Sequence, residues 1–277
     1  MEQAKQKRGK KTMWILLIVA MILLVQTIFI GYRFSWGPFK GLGERRMAKL
    51  PGNDPVYGMD SLEPIADSPL QGQNVLFLGS SVTYGAASLQ EGIPEYFGKR
   101  LACNVTKEAV SGTTLTDNGQ SSYVQRLLNR VDPDKPFALL VCQLSTNDAT
   151  KQLPLGEIAT GTDLSDFATA TVTGAMEYII AYAEKTWHCP VVFYTNARYD
   201  SESYASMVAR LKQLQEKWNI GVLDLWSDEI FNTISETDRA LYMNDSIHPT
   251  KAGYRQWWCP ELERQLLAYL AQQEALK

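Results

Sequence analysis

The chain reads as an α/β protein: a parallel sheet covered by helices on both faces, preceded by one apolar helix long enough to cross a membrane. Three observations predict this. From residue 74 onward, short apolar runs alternate with longer helical stretches, the pattern of a parallel sheet. The runs are apolar along their length, as strands buried on both faces are. Ahead of them, residues 13–32 carry no charge at all.

The amino end comes first. Residues 1–12 hold Lys5, Lys7, Arg8, Lys10 and Lys11 against Glu2, a net +4 on a chain of net charge −3. Residues 13–32 follow as MWILLIVAMILLVQTIFIGY, with only Gln26 and Thr27 clearly polar. About 20 apolar residues in a helix span the ~30 Å hydrocarbon layer. A buried core helix of this length would normally keep a polar face. A cleaved signal peptide is the closer rival, but the following Gly31-Tyr32-Arg33-Phe34-Ser35-Trp36 offers no small-x-small cleavage site. The basic cluster before the span predicts a cytoplasmic amino end and an extracellular remainder. Arg33, Lys40, Arg45, Arg46 and Lys49 lie after the span and pull the other way, less tightly clustered.

Residues 33–73 are rich in Gly and Pro and predict a stalk or linker whose last part packs on the domain. The domain proper is expected over residues 74–277. Its strands are NVLFLG (74–79), FALLVCQL (137–144), PVVFYT (190–195) and GVLDLW (221–226), with a weaker one over Asn104–Val110. Helices are expected over 91–101, 120–130, 166–187, 201–218 and 250–274. Trp226, Trp257 and Trp258 fall on these elements and read as core.

Bulk numbers bound the function. The apolar share of 45% and charged share of 21% are those of an ordinary globular protein, and the net charge gives no basis for nucleic-acid binding. Four cysteines, Cys103, Cys142, Cys189 and Cys259, are too scattered for a disulfide scaffold and read as buried thiols. No Cys-x-x-Cys or His-x-x-x-His spacing suggests a zinc site. Oligomeric state is not legible.

In an open parallel sheet the chemistry sits at the carboxyl ends of the strands. The first strand runs into Gly79-Ser80-Ser81-Val82-Thr83-Tyr84-Gly85. A helix starting there would offer free amides to a developing negative charge, which suits a serine nucleophile at Ser81. The bland alternative is a plain Gly/Ser turn. A phosphate loop is excluded because Gly-x-x-x-x-Gly-Lys-Ser/Thr is absent.

Such a serine needs a base, most often His. The chain has two. His188, in Trp187-His188-Cys189-Pro190, sits at an expected helix end, where imidazole interacts with helix carbonyls. His248 sits in Asn244-Asp245-Ser246-Ile247-His248-Pro249, with Asp245 three residues earlier. Positions i and i+3 share one side of a helical turn or tight loop, so this carboxylate can orient the imidazole. The third strand ends in Ser145-Thr146-Asn147-Asp148, where Asn147 can aim its amide at an oxyanion. Gly112 follows the weak strand and can bring a backbone N–H close.

Together these segments resemble the four sequence blocks of the SGNH (GDSL-type) hydrolase family, in the family's order. Gly79-Ser80-Ser81 stands for the Gly-Asp-Ser block, Gly112 for the second, Ser145–Asp148 for Gly-x-Asn-Asp and Asp245–His248 for Asp-x-x-His. The resemblance implies a three-layer α/β/α sandwich and a serine-dependent esterase or acyl-transfer activity. It implies Ser81, Asp245 and His248 as catalytic triad and the Ser81 N–H, Gly112 N–H and Asn147 as oxyanion hole. It implies no metal or organic cofactor. Two positions depart. Ser80 replaces the usual Asp and removes a charge beside the nucleophile. Ser145 replaces the usual Gly and is expected to narrow the pocket.

The expected function is therefore a membrane-anchored extracytoplasmic esterase acting on short acyl esters, acetyl for example. Its partners are an ester substrate, such as acylated cell-surface carbohydrate or lipid, and the membrane through residues 13–32. Two alternatives stand beside it. One is an O-acyltransferase acting on surface glycan. The other is a non-catalytic glycan-binding domain whose pocket is lined by Tyr84, Thr146 and Asn147.

Overall fold

The computed structural model describes residues 2–34 and 37–275. Ser35 and Trp36, part of the stretch read for a cleavage site, lie outside the described residues. So do the side chains of residues 2–9, 33 and 34, among them the charges of Lys5, Lys7, Arg8 and Arg33. The chain forms two compact units, Met1–Leu50 and Pro51–Lys277.

The first unit holds α1 (Glu2–Phe34) and the short α2 (Gly41–Met47). Within α1, the span Lys10–Tyr32 contains an 18-residue apolar stretch of mean hydropathy 2.7, none of it buried. This helix is long and apolar enough to cross a membrane.

The second unit is built on β1 (Asn74–Gly79), β2 (Asn104–Ala109), β3 (Leu139–Gln143), β4 (Val191–Tyr194) and β5 (Gly221–Leu223). All pair in parallel, in the order β2-β1-β3-β4-β5. The two-residue period of a strand splits the sheet's side chains between two cores. Leu76, Leu78, Leu140, Cys142, Val191 and Phe193 belong to one, with side chains of α5 (Tyr123–Arg130), α7 (Val172–Trp187) and α8 (Glu202–Trp218). Val75, Phe77, Leu139, Val141, Val192 and Tyr194 belong to the other, with α4 (Ile93–Arg100) and α12 (Cys259–Ala275). This is the three-layer α/β/α sandwich, and it explains why β1, β3 and β4 are apolar without alternation, while the edge strand β2 (NVTKEA) is not.

Local signals set the helix starts. Ser122, Thr171 and Ser201 each accept a backbone N–H as N-cap of α5, α7 and α8. The Thr171 cap starts α7 at Val172 rather than at 166. Among the short helices that escaped the periodicity are α9 (Glu229–Asn232) and α10 (Glu236–Tyr242), each one or two turns long and without a buried residue. The terminal helix is not continuous over 250–274. It begins as Lys251–Gly253 (α11), widens to a π-type turn over Tyr254–Trp258 and continues as α12. Pro260 lacks an N–H and crowds the preceding turn, and the wide turn absorbs this misfit.

Residues 51–73 pack within the second unit. Met59 and Leu70 are buried. The buried Asn53 amide donates to Ala87 O (2.7 Å) and its oxygen accepts from Lys251 N (2.9 Å). The four cysteines are buried free thiols. Burial pushes the Cys103 and Cys189 thiols up to about 11, so neither supplies a thiolate near neutral pH.

One topological fact places the site. The chain passes from β1 to β2 on one side, then returns to β3 on the other. Such a reversal of strand order, here at β1, marks the usual ligand position in open α/β sheets. Ser81 follows β1, Gly112 follows β2 and Asn147 follows β3.

Candidate active site

The nucleophile candidate is built by a strand that turns at once into a helix. Ser81 is the first residue of α3 (Ser81–Tyr84), and Gly85 ends that helix at φ +78°. Gly79 is obligatory on packing grounds, since a Cβ there would lie 1.7 Å from Thr83 Oγ1. Ser81 keeps only 7% of its surface exposed.

Its hydroxyl lies 2.8 Å from His248 Nε2. On the ring's far side, Nδ1 lies 2.9 Å from Asp245 Oδ1 and 3.0 Å from Oδ2. A carboxylate only accepts, so Nδ1 carries the proton and Nε2 presents its lone pair to the Ser81 O–H. The Asp245–His248 segment is a tight loop. Asp245 Oδ1 also accepts from the Ile247 and His248 amides, each at 2.9 Å, and Oδ2 accepts from Asn244 Nδ2 at 3.0 Å. The Asn244 N–H bonds His248 O at 2.9 Å, and Met243 and Pro249 form a bridge across the loop's base. Burial works against the charged carboxyl of Asp245. The hydrogen bond and charge of His248 and the two backbone amides outweigh it and hold the group well below the usual carboxylate range.

The remaining candidates flank this pair. Gly112 stands at φ +80° on an exposed turn, where a side chain would be strained. Asn147 lies in the first turn of α6 (Thr146–Thr150), and its Nδ2 donates to Thr113 O at 2.9 Å. That bond ties the loop after β3 to the loop after β2 and fixes the amide's orientation, leaving Nδ2 a second N–H. The neighbouring Asp148, fully buried, grips the same loop by accepting from Leu115 N (2.7 Å) and Thr116 N (3.0 Å).

His188 is set apart. It ends α7 in the left-handed conformation (φ 52°), with its N–H on Glu184 O, before β4 and so at the amino ends of the strands, away from the loops that carry Ser81, Gly112 and Asn147. Ser80 is fully buried, and its hydroxyl lies 3.3 Å from Gln143 Oε1. Ser145 does not narrow the pocket. Its side chain is fully buried and its hydroxyl caps α6 by accepting from Asp148 N at 3.4 Å, because a helix start there needs an acceptor. Thr146 is buried too, so it lines no open pocket. Trp257 and Trp258 lie in the core, and Trp226 packs on Tyr199 and Tyr204.

Three supporting residues were not read from the sequence. Gln143 Oε1 accepts from Ser80 N (2.9 Å), Thr83 N (3.2 Å) and Thr83 Oγ1 (2.9 Å), so it holds both sides of Ser81. Asn196, after β4, donates from Nδ2 to Ile247 O at 3.1 Å and steadies the base loop. Arg126 is a fully buried cation on α5. A glutamine inside the apolar run FALLVCQL is the one available signal, since a buried polar side chain needs partners.

The profile of the GDSL-like Lipase/Acylhydrolase family matches residues 77–256, from β1 through the Asp245–His248 loop. The chain belongs to this family. It is thus a hydrolase of the serine esterase class. Solved structures share the GDSL-type fold at low identity. A protein assigned as a GDSL-like lipase from Bacteroides ovatus is 16% identical, with a TM-score of 0.52, over 73% of this chain and 99% of its own. A G-D-S-L family lipolytic protein from Desulfitobacterium hafniense is 19% identical, with a TM-score of 0.52, over 70% and 99%. A family two carbohydrate esterase from Clostridium thermocellum, solved with cellohexaose, is 14% identical, with a TM-score of 0.52, over 75% and 67%. A comparison with curated proteins gives no significant match.

Proposed function

We propose that this GDSL-family chain is an extracytoplasmic esterase that removes short acyl groups, acetyl in particular, through Ser81, His248 and Asp245. The observation that carries the reading is the unbroken relay from Ser81 Oγ through His248 to Asp245, with both links under 3.1 Å. A binding module has no use for a serine hydroxyl aimed at an imidazole lone pair.

The chemistry follows from the atoms. His248 Nε2 takes the Ser81 proton as Oγ attacks the ester carbonyl, and Asp245 stabilises the imidazolium. The oxyanion forms against the Ser81 N–H, the Gly112 N–H and the second Nδ2 proton of Asn147. Collapse expels the alcohol, which takes its proton from His248. Water, deprotonated by the same ring, then releases the acyl group as a carboxylic acid.

Residues 1–12 are the cytoplasmic tail in this reading, 13–32 the anchor, 33–73 the linker, whose residues 51–73 pack on the domain, and 74–277 the catalytic domain. Five basic residues before the span support the amino-in orientation. An outward-facing domain meets surface polymers, and the fold shared with a carbohydrate esterase supports acylated carbohydrate as the substrate class. The test is hydrolysis of a fluorogenic acetyl ester by the intact protein and by Ser81→Ala. Equal rates in the two would end this reading.

A further inference from the structure

The guanidinium of Arg126 sits behind the proposed catalytic centre, and no side-chain surface of this residue reaches solvent. All five of its N–H groups have acceptors. Nε bonds Ser121 O at 2.9 Å. Nη1 bonds Glu108 O at 2.8 Å and Glu108 Oε1 at 3.0 Å. Nη2 bonds Gly79 O at 2.7 Å and Thr113 Oγ1 at 3.3 Å. The Tyr123 ring covers it, with Cζ 5.2 Å from the ring centroid.

The two Nη2 acceptors give the site its meaning. Gly79 O belongs to the peptide unit just before Ser80, and the N–H of that same unit is held by Gln143 Oε1 at 2.9 Å. The peptide leading into the nucleophile is therefore gripped at both ends by buried side chains. Thr113 follows Gly112, donates its hydroxyl to Val110 O at 2.7 Å and offers its carbonyl to Asn147 at 2.9 Å. One planar fork thus touches both the strand end that aims the Ser81 N–H and the loop that carries Gly112 and orients Asn147.

We propose that Arg126 is a positioning residue that sets the oxyanion donors of Ser81, Gly112 and Asn147 in register with one another. This rests on the triad and oxyanion reading above. Lysine cannot replace it, because an ammonium has three donors and no fork.

The test is steady-state hydrolysis of an acetyl ester by wild type and Arg126→Lys, with thermal melting and fluorophosphonate labelling of both. The expected result is a kcat lower by about 10², the scale of an ångström-level misplacement, with KM within about twofold. The pH–rate profile keeps its shape, because His248 and Asp245 are untouched. A folded Arg126→Lys with wild-type kcat, or a loss confined to KM, overturns the proposal. Where Arg126→Lys does not melt cooperatively, Thr113→Val decides. It removes one Nη2 acceptor and the tie to Val110, and is expected to lower kcat by about tenfold at constant KM; unchanged kcat overturns the proposal equally. Failure of the underlying triad reading looks different, because wild type itself would then be neither active nor labelled at Ser81.

Discussion

The two halves of the proposed catalytic pair are held in opposite ways. Ser81 is 7% exposed and sits on a strand end fixed by distant buried side chains, Gln143 from β3 and Arg126 from α5. The side chains of Asp245 and His248 are 28% and 26% exposed, on a loop held mostly by bonds within its own few residues. Asn196 adds one tie from outside, to Ile247 O. The proposed nucleophile is positioned by tertiary structure and the proposed base by local chain geometry. Removing a buried support of the first half, Gln143 or Arg126, should disturb stability as well as rate, while removing the outside tie of the second, Asn196, should cost less stability.

The largest expected effect breaks the relay itself. Ser81→Ala and His248→Ala should each lower kcat by roughly 10⁶, and the double variant by scarcely more, because the residues act as a unit. Additive losses would show that the two do not work together. Both variants should melt close to wild type.

Asp245→Asn comes next, with a loss of about 10⁴ in kcat through the wrong imidazole tautomer. It also has a stability signature. The native carboxyl lies below its ordinary value, so it stabilises the fold fully above the unfolded-state pKa, near 4. That contribution falls away as pH drops through the native value. The stability gap between wild type and Asp245→Asn, read from denaturant titrations, should shrink as pH falls below about 4. A gap that widens in acid would contradict the assignment.

Asn147→Ala should cost about 10²–10³ in kcat with KM little changed, the usual result of losing one oxyanion donor. A larger effect on KM than on kcat would place Asn147 in ground-state binding instead. Gln143→Leu sharpens the contrast between the halves. It leaves the buried Ser80 and Thr83 amides without their acceptor, at about 1–3 kcal/mol each. Its thermal midpoint should fall by several degrees, whereas Asn196→Ala, at the base loop, should lower it less.

The same contrast explains what the sequence made legible. Asp245 and His248 stand three residues apart, so their pairing is written in local order. Gly79-Ser80-Ser81 is legible because a strand-to-helix turn leaves a compositional trace. The sheet was legible because strands buried on both faces must be apolar throughout. Arg126 and Gln143 were not, because their partners lie 47 and 63 residues away, at Gly79 and Ser80, and only the sheet order brings them together. Ser145 misled for a related reason: its hydroxyl answers the backbone need of α6 rather than the pocket. The π-type turn before Pro260 was hidden because the buried residues Tyr254, Trp257, Trp258 and Cys259 recur across it at helical spacing.

The central claim is that Ser81 is a nucleophile because His248 activates it. The direct measurement is fluorophosphonate labelling of the folded protein, mapped by mass spectrometry, in wild type and in His248→Ala. The account predicts one label per chain, on Ser81, and a labelling rate lower by orders of magnitude in His248→Ala at unchanged melting temperature. A label on another residue, or equal rates in the two proteins, would contradict it.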